Sequence, residues 1–536
     1  MAALALAGCQ LTTACAQSAT ADAAAFAGVV ESSSGKPVAG ALVRLQGAAT
    51  STLSGEDGRF HLAVPAESPA RYLTAWKDGY YIGGVGLASD GMPFHIALKP
   101  LPPGDNPDYR WLSARAAAAT ANETGKPCET CHLREVFPLV AEWESSAHAR
   151  AATNPFFLAF FNGGQRDLPL LPQLGYKLDF PRSSGNCANC HLPALALRRP
   201  YDADPGQATG VERDGVFCDL CHKVRQVKVD TVGGRAGVLA MSFARPPSGE
   251  QLFLGPFDDA FPGPDTFHPL YQDSRFCAAC HHGVLWGVLA YGEFAEWQAS
   301  SYAKEGIQCQ GCHMKPDGRT RQVAPASEGA IRRRPEQIAS HAFPGRDNLR
   351  FMQSALQLDA DALIASAGDL LRVKVRLRNI GAGHHVPSGN PMRNLVLLIE
   401  ARNGSGQPLE MIAGNRLPVW AGVGRVEFGN LAGLPGKGYA KILSTPVAYP
   451  ADTHLDEGRP PLYPAPHWRR IRIESDNRLP AGGEDAGEYL FRLSPGSKQA
   501  EVRVRLLHRR TFRSWLDPLV LPEPDLLLAE QAFSLR

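Results

Sequence analysis

No run of about twenty apolar residues occurs anywhere in the 536-residue chain, so no segment is long enough to cross a bilayer as a helix. Charge of one sign is also lacking. Lys and Arg number 55 against 53 Asp and Glu, a formal net charge of +2, which removes the electrostatic case for nucleic acid as a partner. Cysteine is absent from residues 346–536. Glycine (53) and proline (43) are abundant instead, and both favour turns and β-structure over long helices. A hydrophobic share of 44% beside 20% charged residues fits ordinary folded domains, and the length suggests about three of them.

The twelve cysteines are the most informative residues. Two, Cys9 and Cys15, lie in the first 20 residues. The other ten form five pairs, each Cys-x-x-Cys followed at once by His: Cys128, Cys131, His132; Cys187, Cys190, His191; Cys218, Cys221, His222; Cys277, Cys280, His281; and Cys309, Cys312, His313. This is the attachment signature of c-type haem. The two thiols form thioethers with the porphyrin, and the adjacent imidazole sits beneath the iron as its proximal ligand. Zinc ribbons need cysteine pairs but no His after each, and thioredoxin-like sites need one pair. Five repeats that use every cysteine beyond the N-terminal segment predict five haem c groups.

Residues 1–20 read as an export or lipoprotein signal. The apolar run Met1–Gly8 lacks the basic residues that should precede it, which suggests further sequence upstream. Two endings compete. Leu6-Ala7-Gly8-Cys9 fits a lipid anchor on Cys9, and Ala14-Cys15-Ala16 before Gln17 fits ordinary cleavage. Both place the protein outside the cytoplasm: periplasmic, on the outer membrane as a lipoprotein, or extracellular.

Three domains are expected after this signal. Residues 24–100 alternate between apolar and polar in segments such as Ala41–Leu45 and Phe60–Val64, bounded by glycine turns, and predict a β-sandwich in which His61 and His95 are plain strand residues. The stretch Gly35–Leu45, with Gly55–Leu62 after it, resembles the carboxypeptidase-regulatory-like domain, which implies a transthyretin-like sandwich without catalytic activity. A proline-rich linker, Pro100–Pro107, leads to an irregular, mostly α haem region over 108–345, with a short helical piece at Ala114–Thr124. Strict alternation in Leu371–Leu377 and Glu501–Leu506, with the apolar strand Leu395–Glu400, predicts a second β-sandwich over 346–536.

The second axial ligand decides between electron transfer and chemistry at each iron. Trp143-Glu-Ser-Ser-Ala-His148, Ser340-His341-Ala-Phe-Pro-Gly345 and Gly383-His384-His385-Val-Pro-Ser-Gly389 resemble elements of the multihaem cytochromes related to the electron acceptor of hydroxylamine oxidoreductase. That resemblance covers residues 108–536, with Ser388 where the family has Thr. It implies distal iron ligation by His148, His341 and His384, and by His268 in Phe267-His-Pro269. One haem then lacks a nominated partner, for which His282 and His385 are the remaining candidates. Trp297-Gln-Ala-Ser-Ser-Tyr302 repeats the first element with Tyr302 in place of His. Trp143 and Trp297 read as packing residues, Arg332–Arg334 as a solvated basic run, and His454, His467 and His508 as surface or core residues.

These readings predict electron transfer through five haems, with other cytochromes or quinol-linked donors as redox partners and a homo-oligomer or filament as an assembly. The alternative is a reductase or oxidase of a small nitrogen or sulfur compound at one open-faced haem. Against it, pentahaem nitrite reductases carry a Cys-x-x-Cys-Lys motif, and none of the five motifs here ends in Lys.

Overall fold

The computed structural model describes residues 23–536 except 66–69, 89–92, 116–125, 165–167, 169, 173, 230–234, 366–368, 446–461, 494–498 and 517–523. The signal segment with Cys9 and Cys15, most of the Ala114–Thr124 piece and His454 lie outside the described residues. The chain divides into two compact units, one of residues 1–101 with 257–267, the other of 102–256 with 268–536.

In the first unit, Ala23–Ser32 is the centre of a three-stranded sheet. It pairs antiparallel with Arg59–Pro65 and parallel with Phe94–Leu98. A four-stranded sheet runs Ser51–Leu53, Leu42–Leu45, Tyr72–Trp76, Gly83–Gly86. Alternation puts Val43, Leu45, Phe60, Leu62, Ile96 and Leu98 into one shared apolar core. Gly28 is required where the strands meet, because a Cβ there would lie 2.2 Å from the Phe94 carbonyl oxygen. His61 and His95 stand on the exposed faces of their strands. Residues 257–267 are bound into this unit. Gln46 Nε2 donates to the Asp259 carbonyl (3.1 Å), and Arg44 pairs with Asp258 (2.9 Å).

The second unit holds all five motifs and the C-terminal strands. Its first part has short helices, none longer than eight residues among those described, and two-stranded hairpins such as Gly283–Leu285 with Val288–Tyr291. Two four-stranded sheets follow. One runs Leu356–Ile364, Leu370–Asn379, Glu484–Arg492, Glu410–Ala413; the other runs Gly436–Tyr439, Asn394–Asn403, Ala500–Arg509, Leu526–Leu535.

The strand Asn394–Asn403 is apolar without alternation because both its faces are buried. Leu395, Leu397 and Ile399 enter the core between the two sheets. Val396 and Leu398 face a second core containing Phe160, Leu174, Trp420 and Trp515. Phe160 belongs to the helix Pro155–Asn162, so this strand joins the C-terminal sheets to the region of the motifs.

Candidate haem sites

Each motif closes one helical turn. The His N–H donates to the carbonyl of the first Cys at 2.9 Å for His132, 3.1 Å for His191, 2.9 Å for His222 and 3.0 Å for His281, and the fifth lies in the helix Cys309–His313. At about 100° per residue, positions i, i+3 and i+4 share one face, so the local turn alone aims two sulfurs and an imidazole the same way. None of the ten motif cysteines is paired in a disulfide.

The proximal rings are also oriented. Nδ1 of His132 meets the Val323 carbonyl (2.7 Å), that of His191 the Ala151 carbonyl (3.3 Å), that of His222 the Leu254 carbonyl (2.7 Å) and that of His313 the Pro344 carbonyl (2.9 Å). A carbonyl only accepts, so Nδ1 carries the proton and the Nε2 lone pair is left for a metal. His281 differs: its Nδ1 faces the carboxylate of Glu293 at 3.7 Å. The expected distal residues His341 and His384 follow the carbonyl pattern, on Ala339 (3.1 Å) and His385 (3.0 Å).

Two pairs of histidines stand at the separation a shared iron requires. A metal–imidazole bond of about 2.0 Å, plus about 1.15 Å from nitrogen to ring centre on each side, sets trans ring centres about 6.3 Å apart. His148 and His281 are 6.3 Å apart with planes at 72°, and His313 and His384 are 6.3 Å apart at 17°. Burial, reinforced by the charge of His281, holds the His148 pKa down to about 3. Burial with His384 beside it takes His313 to about 4. Both are therefore neutral near pH 7, the state in which imidazole ligates.

The Trp-x-x-Ser-x-His element works through packing. Trp143 is buried at the end of the helix Pro138–Ser145, and its Nε1–H donates to the Val216 carbonyl at 2.7 Å. The His148 carbonyl accepts from Val216 N at 3.0 Å. In the second element, His341 N–H donates to Glu142 Oε2 (2.7 Å), and the Phe343 ring lies 4.5 Å from His148 and 6.0 Å from His341. His341 is held at about 4 by burial, with His222 and then His132 as charged neighbours.

Other expected residues lie differently. His268 Nδ1 accepts from the Leu270 N–H (3.3 Å), which puts the proton of the neutral ring on Nε2. His268 also lines a cleft of about 650 Å³ with Asp105, Arg225 and Arg275. His385 lies 3.2 Å from Glu296, which pairs with Arg478 (2.7 Å), so it ties its loop to the helix Glu293–Gln298. His282 is buried edge-on to Phe294 at 6.4 Å. The Tyr302 ring sits under Gly383, and its hydroxyl donates to the Ile380 carbonyl (3.4 Å). Trp297 Nε1–H donates to the Ile307 carbonyl (2.8 Å).

Sequence reasoning passed over His467. Burial takes its pKa to about 4, and the charged neighbour that adds to this is His191. Its Nδ1 has no hydrogen-bond partner. The next two residues are pinned, since Trp468 and Arg469 both donate to Asp179 Oδ2 at 2.8 Å. No motif surrounds this residue, so only tertiary structure reveals it.

The cysteines also show which motifs adjoin: the Cys128 thiol is pushed up by Cys218 beside it, that of Cys190 by Cys280, and that of Cys277 by Cys309. Cys221 feels the charge of Cys280. The fourth motif therefore neighbours the second, third and fifth.

The donor set fits haem c, with paired thiols and a fixed imidazole at each turn and a second imidazole at the trans distance for two of them. A pentahaem cytochrome c552 from Thermochromatium tepidum shares the fold, with a TM-score of 0.52 at 18% identity over 78% of this chain and 100% of its own. No protein-family profile and no curated protein matches the chain.

Proposed function

We propose that the protein is a pentahaem c-type cytochrome that passes electrons along its haems. The observation that carries this is the pair of trans imidazole separations, both 6.3 Å, opposite Cys-x-x-Cys-His turns. When bound, haem supplies a one-electron iron couple. The chain fixes the tautomer of four proximal imidazoles on backbone carbonyls, buries rings such as His148, His313 and His341 so that they stay neutral, and brings the motifs into contact.

The reading assigns His148 opposite His281, His384 opposite His313 and His467 opposite His191. His341 serves His222 or His132. The iron left over takes His268 or keeps an exchangeable position. Export, a lipid anchor at Cys9, cytochrome or quinol-linked partners and filament formation belong to the same proposal and rest on the sequence alone. So does the three-domain layout of two β-sandwiches around a mostly α haem region.

One observation favours the second reading, reduction or oxidation of a small nitrogen or sulfur compound. His268 holds the wrong tautomer for ligation through Nε2 and borders an open cleft. Electron paramagnetic resonance of the oxidised holoprotein, made in a haem-maturing host, tests both. Five low-spin ferric centres support the carrier. A high-spin signal near one equivalent moves the proposal to the enzyme, and fewer than five covalent haems by mass would sink the assignment.

A further inference from the structure

We infer that Glu293 makes the iron at the fourth motif the lowest-potential centre of the five by acting on the proximal imidazole of His281. The inference rests on the haem reading above. Four proximal rings give Nδ1–H to a neutral backbone carbonyl, and His281 alone faces a carboxylate.

That placement is built into the fold. After the motif, the chain makes the hairpin Gly283–Leu285 with Val288–Tyr291, whose Ala290 is buried with Leu443, Ala465 and Ile471. Lys441 Nζ donates to the Leu289 carbonyl (3.1 Å), anchoring the hairpin's second strand. The chain then returns so that Phe294 N–H donates to the His281 carbonyl at 3.2 Å. Glu293, first residue of the helix Glu293–Gln298, is thereby held beside the ring with its side chain 17% accessible.

A carboxylate 3.7 Å from Nδ1 makes the potential at the ring more negative, so the imidazole is a stronger donor through Nε2 and would favour ferric over ferrous iron. The couple is one electron with no bond broken, so the effect is read as a potential. The position adds consequence, because sulfurs of the fourth motif adjoin those of the second and fifth and feel those of the third. A haem held by the fourth motif would therefore adjoin three others, and its potential would bear on transfer among them.

The test is a potentiometric titration of the holoprotein followed by electron paramagnetic resonance. Rings crossed at 72° give a low-spin signal with a large maximum g value, and rings at 17° give a rhombic one, so the fourth and fifth irons are separable. Loss of the large-g signal in His148→Ala assigns it. In the wild type that signal should disappear last on reduction. Glu293→Gln should raise its midpoint and leave the rhombic signal where it was. Glu293→Asp, which withdraws the carboxylate by one methylene, should shift it less in the same direction, and it carries the test alone if the Gln variant does not assemble. A wild-type midpoint in variants that retain five haems overturns the role of Glu293 only. Absence of covalent haem overturns the reading beneath it.

Discussion

Replacing Gly215 by Ala should remove His148 from the iron without touching any ligand. Gly215 has φ 66° and ψ −120°, a combination that residues with a Cβ avoid. A Cβ there would lie 2.5 Å from the carbonyl oxygen of His148 and 3.1 Å from Ala151 N. Opening the first contact to 3.4 Å moves the backbone by about 0.9 Å, whereas metal–ligand distances hold within about 0.2 Å. The strained backbone adds about 1–3 kcal/mol. The same shift opens the Val216 N–H bond to the His148 carbonyl, so the movement reaches the element's own anchor. Purified variant holoprotein should retain five haems by mass while its large-g signal falls and a high-spin signal of about one equivalent grows. A wild-type resonance spectrum at full haem content would refute the argument, because it would show that the loop absorbs the displacement elsewhere.

Three further outcomes follow from other parts of the second unit. His467→Ala should convert one low-spin iron to high-spin while His148→Ala converts a different one; if the double variant loses only one low-spin signal, the assignment of His467 fails. Leu398→Ala, in the core that joins strand Asn394–Asn403 to helix Pro155–Asn162, should cost about 2–5 kcal/mol and lower Tm in a calorimetric scan with the haem spectrum unaltered at low temperature. Glu296 provides the pH test: burial opposes its charge, but His385 and Arg478 prevail and hold it down to about 2. Since the folded value lies below the ordinary 4.5, its contribution is full above pH 4.5 and is lost as pH falls toward 2. Glu296→Gln should flatten denaturant-measured stability across that window, and equal slopes in both proteins would rule the contribution out.

The motifs were legible because they are local. Cys-x-x-Cys-His fits one helical turn, and the same face orientation follows from its spacing wherever it occurs. Alternation in Leu370–Asn379 was legible for a similar reason, since one face of that strand meets the core and the other meets water. Three things were hidden by distance in sequence. Residues 257–267 read as haem region but group with the first 101 residues. The apolar strand Leu395–Glu400 gave no hint that its second face meets Phe160 and Trp515. His467 sits in a run without any signature, 276 positions after the His191 whose charge it feels, and its meaning arises only when the two segments meet.

The two axial positions of each iron therefore report on different levels of folding. The proximal position is set within five residues and survives any rearrangement that spares the turn. The distal position depends on segments far away: His148 reaches His281 across 133 residues, and His384 reaches His313 across 71. Two of the proposed distal residues, His384 and His467, come from beyond residue 346, where there is no cysteine and no haem attachment. Under the proposed assignment the C-terminal sheets supply ligands to the redox centres. Their loops are fixed by contacts such as Glu296 on His385 and Asp179 on Arg469. A chain whose haems are attached but whose C-terminal sheets have not docked should hold five covalent haems with fewer six-coordinate irons, so spin state measures completion of the fold. That makes ligation, rather than haem content, the quantity by which damage to this protein is to be judged.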